Sequence, residues 1–352
     1  MAPTLKDVAQ DVGLSLQTVS DVLNCGDLRY SAKTRARIQV AAERLGYRPN
    51  LMAQSMVTGR TNAIGMLAPD LDTQVTVEKI NAIYHQAAAA GYQVYLGLAR
   101  DGGKCDEILQ GFIDRRVDGL ICLVPPDFDP APCRRRFATG TPLVMAGLVG
   151  DAVTACGLPV VEVLTAQGVC QATRHLIDLG HRRIAFAVGS VNAAVPGGRM
   201  AGYRQALKEA SLRFDPGLVL ADREITHEEV RGFTKAMLDR PAPPTAILYS
   251  NDEMALIGVQ TLAELGRRVP QDISVAGYDD LFFSAHMRPA LTTSRQPRED
   301  LAAAVMALLQ DQIAGRDRTA RVTALAPTLV VRQSTGPCPQ RRNRKGGPAM
   351  ND

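Results

Sequence analysis

In the stretch SLQTVSDVLN, residues 15–24, Gln17 and Asp21 stand four positions apart and so share one helix face. An amide can donate and accept at once, which suits adenine. A carboxylate only accepts, and the donor it finds in the major groove is the exocyclic amine of cytosine. Thr18 and Ser20 add hydroxyls to the same polar side. A second set of polar groups lies far downstream. Asn251 and Asp252 in NDEMAL, and Asp279 and Asp280 in GYDD, each stand where an apolar strand ends. Open α/β sheets hold ligands at such carboxyl ends. These are groups for binding rather than for breaking bonds. The sequence has no Gly-x-x-x-x-Gly-Lys-Ser/Thr loop, no dinucleotide fingerprint and no nucleophile beside a base, and its five histidines (His85, His175, His181, His227, His286) lack metal-ligand spacing. Neither an enzyme nor a metal or cofactor is expected.

The elements that must position these groups fall into zones. A chain of 352 residues suggests two or three domains, and 46% hydrophobic with 22% charged residues is ordinary for a globular protein. No apolar run reaches the ~18 residues of a spanning helix and the N-terminus lacks the pattern of a signal peptide, so a cytoplasmic protein without membrane contact is expected. Seven scattered cysteines never form Cys-x-x-Cys and are expected to be reduced and mostly buried. Residues 1–48 read as short helices. Thr4 and Asp7 form a capping box, Gly13 breaks the first helix, Ser15 caps the second, and a third runs from near Ser31 to Gly46. Ala9 is small enough to let two helices approach, with Val19, Val22 and Leu23 turned inward, which is the arithmetic of a helix-turn-helix. Over residues 1–60 eight basic side chains face five acidic ones, as phosphate contact requires. The alternative for this zone is a helical cap on the body.

From about Ala63 to Ser334, short apolar strands (AIGMLAP, YQVYLGLA, DGLICLV, PLVMAG, RIAFAVG, TAILYS, ISVAGYDD) alternate with helical stretches, which argues for doubly wound parallel sheets. The expected fold class is α/β, a helix-turn-helix head before a core of two such subdomains. Residues 336–352, with four basic side chains and no apolar period, read as a disordered tail. His181 in LGHRR follows a helix and reads as its C-terminal cap and dipole partner.

The ordered run TLKDVAQDVGLSLQTVSDVLN, SAKTRARIQVAAERLGYRPNLMAQSM, RTNAIGMLAPD, RRVDGLI, LGHRRIAFAVG, RMAGYRQAL, PTAILYSNDEMAL, GYDD and PALTTSRQP closely resembles the LacI/GalR family of bacterial transcriptional regulators over nearly the whole chain to Ser334. The resemblance implies a head at 1–48, a hinge at 49–61, and a core of periplasmic-binding-protein type. Its N-subdomain would be 62–163 with 295–322 and its C-subdomain 164–294 with 323–335, the chain crossing three times. It implies a homodimeric repressor on a near-palindromic double-stranded DNA operator, controlled by a sugar-like small molecule in the cleft. The expected DNA contacts are Thr4, Leu16, Gln17, Thr18, Ser20, Asp21, Asn24, Tyr47 and Asn50, with Met56 at the position of the side chain that wedges the minor groove. Arg199, Asn251 and Asp279 match the residues that grip effector hydroxyls.

Departures matter as much. Where the family commonly has arginine, Asp21 stands. It either reads cytosine, with Gln17 free to read adenine beside it, or pairs with Arg29 or Lys6 and reads nothing. Gln74 and Val75 replace an aromatic stacking face, His227 stands where an aromatic is frequent, and Leu164-Thr165 replaces the usual Asp-Asn. Gln74 and His227 are carried as effector-site candidates, and a polar ligand other than a common hexose is expected. Control by a protein partner instead of a metabolite is the alternative, and an exported solute-binding protein would have no head.

Overall fold

The structure is a computed structural model that describes residues 3–25, 29–48, 55, 59–99, 104–124, 128–147, 157–189, 197–221 and 226–339. Asn50 and Met56 of the expected hinge lie outside these, as does the side chain of Asn24. The chain divides into two compact units, residues 1–63 with 114–118 and residues 64–113 with 119–352.

In the first unit three helices form: α1 (Leu5–Val12), α2 (Leu16–Cys25) and α3 (Ala32–Leu45). Thr4 caps α1, and Asp7 closes a capping box with it. These bonds hold the Asp7 carboxyl below its usual range. Gly13 follows in the left-handed conformation at φ 62°, a turn that costs glycine nothing. Val8, Val12, Val19 and Ile38 are fully or almost fully buried between the helices, with Ala9 and Val22 beside them. Each buried valine or isoleucine is worth about 1.5–3 kcal/mol.

The second unit is built on two six-stranded sheets. The first holds β1 (Ala63–Ala68), β2 (Gln93–Leu98), β3 (Gly119–Leu123), β4 (Leu143–Ala146), β5 (Val160–Val163) and β11 (Val322–Leu325) in the order β11-β5-β4-β3-β1-β2. The second holds β6 (Ile184–Ala187), β7 (Val219–Leu220), β8 (Ala246–Tyr249), β9 (Ser274–Asp279), β10 (Thr292–Arg295) and β12 (Thr328–Val330) in the order β12-β10-β9-β8-β6-β7. The recorded pairings are parallel except β10 with β12. β11 stays in the first sheet through Leu325, beyond the expected boundary at 322.

Helices cover both sheets. α4 (Gln74–Ala89), α5 (Cys105–Asp114), α6 (Ala131–Ala138) and α11 (Arg298–Ile313) belong to the first lobe. α7 (Thr165–Asp178), α8 (Arg199–Glu209), α9 (His227–Leu238) and α10 (Asp252–Glu264) belong to the second. One apolar cluster joins Ile64, Met66, Ile83, Val144 and Val305, and two more lie on the opposite faces of the second sheet. Among the described residues Cys105, Cys122, Cys133 and Cys170 are buried free thiols and Cys338 is partly buried. No helix among them is long and apolar enough to cross a membrane.

Two expectations need correction at the chain's end. Residues 336–339 are not part of a disordered tail. The Cys338 amide donates to Leu179 O at 2.8 Å and Gly336 N donates to Ser274 Oγ at 3.1 Å. His181 caps α7 with its backbone N–H, which bonds Leu176 O, but its ring is no charged dipole partner. The ring is buried among Thr245, Ser274 and Gly336, and burial lowers its pKa.

Candidate functional site

The polar face of α2 is bound to itself. Gln17 Nε2 donates to Asp21 Oδ1 at 2.7 Å, and the Tyr30 hydroxyl donates to Asp21 Oδ2 at 3.0 Å. Arg29 lies 3.7 Å from the same oxygen, on a side chain 77% exposed, so this ion pair contributes little. Gln17 spends one of its two amide N–H donors on the carboxylate and keeps the second, with its carbonyl oxygen, to offer. Asp21 pairs with Arg29, as one of its two readings expects, and is joined by two neutral partners that the sequence did not suggest. Ser15 caps α2 through Thr18 N, and the Thr18 hydroxyl lies 2.8 Å from Ser15 Oγ. Leu16 is half exposed and Ser20 is partly buried. Tyr47 packs against the three-helix core, and burial raises its phenol pKa. Thr4 spends its hydroxyl on Asp7, 2.8 Å away.

In the second unit a cleft of about 290 Å³ lies at the carboxyl ends of the strands and is lined from both lobes. That is near the small end of ligand pockets, roughly 300–1,000 Å³. Three of the five expected effector residues line it: Arg199, Asn251 and Asp279. Asn251 sits before α10, and its side-chain oxygen accepts Met254 N–H at 2.7 Å. The cap consumes the amide's carbonyl and leaves its NH2 to donate. Asp279 ends β9 at φ 119° and is 1% exposed. Its Oδ1 accepts from Gln296 Nε2 at 2.5 Å and lies 3.5 Å from Arg199 Nη2. Burial raises the Asp279 pKa, while Arg199 and the Gln296 amide pull it back. Arg199 begins α8, bonds Ser250 O and stacks 4.2 Å from the Tyr278 ring centre.

Behind Asp279 lies Asp252, wholly buried and pushed up to about 7 by burial and by its acidic neighbour. Its oxygens accept from Leu281 N, Ser284 Oγ and Thr293 Oγ1. Gly277 leaves the room it needs, since a Cβ there would stand 2.3 Å from its Oδ1. Arg298, at the start of α11, pairs with Glu78 at 2.6 Å and donates to the carbonyl oxygens of Asp279 and Asp280, so one guanidinium touches both lobes.

The other two expected residues are not among the lining side chains. Gln74 uses its amide on Glu78 in its own helix at 3.2 Å, and His227 is exposed in the first turn of α9. Lys79, Gln296, Glu253, Thr76 and Asp70 line the cleft and were not anticipated. Lys79 stands five residues, nearly one and a half turns, from Gln74, so the expected site did not mark it. Burial lowers its pKa to about 8, although Asp279 pulls it upward.

Comparison with known proteins supplies the remaining context. Residues 4–50 match the family described as bacterial regulatory proteins, lacI family, and residues 173–335 match the periplasmic binding protein-like domain. The chain is 33% identical over 351 residues to the HTH-type transcriptional repressor PurR of Erwinia tasmaniensis, covering 97% of this chain and 99% of that one. It is 31% identical to the HTH-type transcriptional regulator CelR of Thermobifida fusca, covering 94% and 98%. Among solved structures, the lac repressor dimer bound to operator and the anti-inducer ONPF superposes with a TM-score of 0.80 at 29% identity, covering 96% of this chain and all of that one. A CelR–cellobiose complex gives 0.67 at 30% identity, covering 94% and 99%.

Proposed function

This chain belongs to the lacI family of bacterial regulatory proteins, and from that premise we propose that it grips a near-palindromic operator as a homodimer until a small polar ligand in the core cleft alters that grip. It is a transcriptional repressor with a ligand-binding core, and not an enzyme. The observation that carries the proposal is the cleft itself, where Arg199, Asn251 and Asp279 converge from α8, α10 and β9. A guanidinium, an amide NH2 and a carboxylate are the inventory that binds hydroxyls and carbonyls of a sugar or a related metabolite. Relatives bound to ONPF and to cellobiose support a small-molecule effector. Control by a protein partner finds no such support.

The dimer reading rests on surface chemistry as well as on the dimeric relative. β2 is an edge strand, and Tyr95, Leu96 and Leu98 on it are each more than 40% exposed, with Tyr84 of α4 half exposed. An apolar, unpaired edge of this kind is normally covered by another chain. On the head, the exposed ends of α2 would enter the major groove, with Met56 as the wedge between half-sites. Such a protein works in the cytoplasm, where the operator is.

The test has two parts. Operators selected from random DNA should be near-palindromic, with affinity falling steeply between about 50 and 200 mM salt as counterions are released. A thermal-shift screen of sugars, sugar acids and nucleosides should find a ligand that changes operator affinity. At 100 times its dissociation constant it stabilises the protein by about 2.7 kcal/mol. A monomer at micromolar concentration, or operator binding indifferent to salt, would sink the proposal.

A further inference from the structure

The cleft's charged groups are not equally engaged, and the imbalance has a sign. Each of its three carboxylates is already answered by the protein. Asp279 has Arg199 and Gln296, Asp70 accepts the backbone N–H of Asp72 and Thr73, and for Glu253 burial raises the pKa while the backbone of Gln74 pulls it back. The donors are not answered in the same way. Among the described residues Lys79 makes no hydrogen bond and no ion pair. Arg199, about nine-tenths buried, has no partner for its Nε. The Asn251 NH2 is likewise unspent, because only its oxygen serves the helix cap. The buried acceptor left open is Gln296 Oε1, on a side chain 2% exposed.

An ammonium drawn partly out of water is costly unless a negative group meets it, and Lys79, partly buried in the cleft wall, has none within pairing distance among the described residues. A buried guanidinium N–H left unpaired is a second open donor in the same wall. We propose that the cleft takes an anionic ligand, with a carboxylate or phosphate group set against Lys79 and Arg199 on a hydroxyl-bearing body about the size of a monosaccharide. The hydroxyls fall to Asn251 as donor and to Gln296 and Asp279 as acceptors. The cavity of about 290 Å³ sets the size. No aromatic ring is among the described residues that line the cleft, so a neutral sugar finds no stacking face there. This deepens the reading of the core as an effector-binding domain and rests on it.

The experiment is titration calorimetry on the full chain at pH 7 with D-gluconate, D-glucuronate, glucose 6-phosphate, inorganic phosphate and, as the neutral match, D-glucose. At least one anion should bind about tenfold or more tightly than glucose, the size of one charge-assisted hydrogen bond. Lys79→Met should remove that preference while leaving the unliganded melting temperature no lower, and Lys79→Arg should keep most of it. The acids and the phosphates compete as the source of the charge, and whichever binds identifies it. A neutral sugar that binds as tightly as every anion would overturn the proposal. So would Lys79→Met retaining wild-type anion affinity, or no anion of the panel binding the wild type better than it binds that variant. Operator release by a neutral ligand would overturn the charge assignment alone. An anion that binds through Lys79 yet leaves operator affinity untouched would instead overturn effector control.

Discussion

The polar face of α2, proposed to read bases, and the cleft, proposed to hold an effector, stand in opposite states. On α2 the groups that would read bases have already found one another: Gln17 with Asp21, Asp21 with Tyr30, Thr18 with Ser15. In the cleft Arg199 Nε, Gln296 Oε1 and the Lys79 ammonium have no partner among the described residues. An exposed helix can trade internal hydrogen bonds for base contacts at small net cost, because water stands ready in the interval. Arg199 Nε and Gln296 Oε1 have neither a protein partner nor exposed surface, so leaving them unpaired costs more. The head is therefore built for discrimination and the cleft for affinity.

The comparison breaks first where burial is greatest. Arg199→Ala should abolish the ligand response while operator binding without ligand persists, and it should lower stability in urea unfolding by about 3–5 kcal/mol, since Asp279 is left buried without its cation. Normal ligand response in Arg199→Ala would show that the pocket is misassigned. Next comes pH. Burial, Arg199 and Arg298 lower the pH at which Lys79 loses its charge to about 8, Asp279 opposes them, and Asp70 and Glu253 line the same cleft. Anion affinity measured by calorimetry should fall, by up to about tenfold per unit, as pH rises past about 8 and Lys79 loses its charge. An affinity unchanged to pH 9.5 would detach Lys79 from the ligand.

On the head the effects are smaller. Asp21→Arg should turn one symmetric operator position toward guanine, worth about 1–3 kcal/mol in selection experiments. Tyr30→Phe, which takes one donor from Asp21, should shift the same position only slightly. An identical consensus for Asp21→Arg and Asp21→Asn would make the carboxylate purely structural. The smallest effect concerns His175 and His181, whose folded pKa values are depressed by burial. Their unfolded forms take protons first, near 6.5, so the stability they contribute is full above that pH and declines as pH falls through the lower folded values. Unfolding midpoints that rise on acidification from pH 7 to 5.5, with His181→Asn unaffected, would contradict this.

How much could be read beforehand follows the same division. The head was legible because its signals are local: a capping box, a glycine at φ 62° and an apolar face every three to four residues. So were β1, β2, β3, β4, β6, β8 and β9, which stand in longer apolar runs. β5 carries Glu162, β10 is Thr-Thr-Ser-Arg, and β7, β11 and β12 are two to four partly exposed residues, so no apolar run announces them. The cleft was legible only where a strand end carried its own polar pair, as at Asn251 and Asp279. Lys79, Glu253 and Gln296 sit on a helix face or beyond a short strand, and no spacing along the chain announces that they meet. Gln74 and His227 stand outside the described lining for the reverse reason. Position along the chain put them near the mouth, but a neighbour in its own helix engages one and exposure removes the other.

One feature of the topology bears on how the molecule comes into being. β5 of the first sheet pairs on its outer side with β11, residues 322–325, and the second sheet takes β12 and the seam from Gln333 to Cys338. A ribosome adding roughly 5–20 residues per second needs on the order of ten seconds to half a minute to travel from β5 to β11. Throughout that time a buried-type strand, Val160–Val163, has one side unpaired. Neither lobe can close until almost the whole described chain has been made, so the nascent protein carries two unfinished sheets, and late synthesis is when chaperone protection matters most.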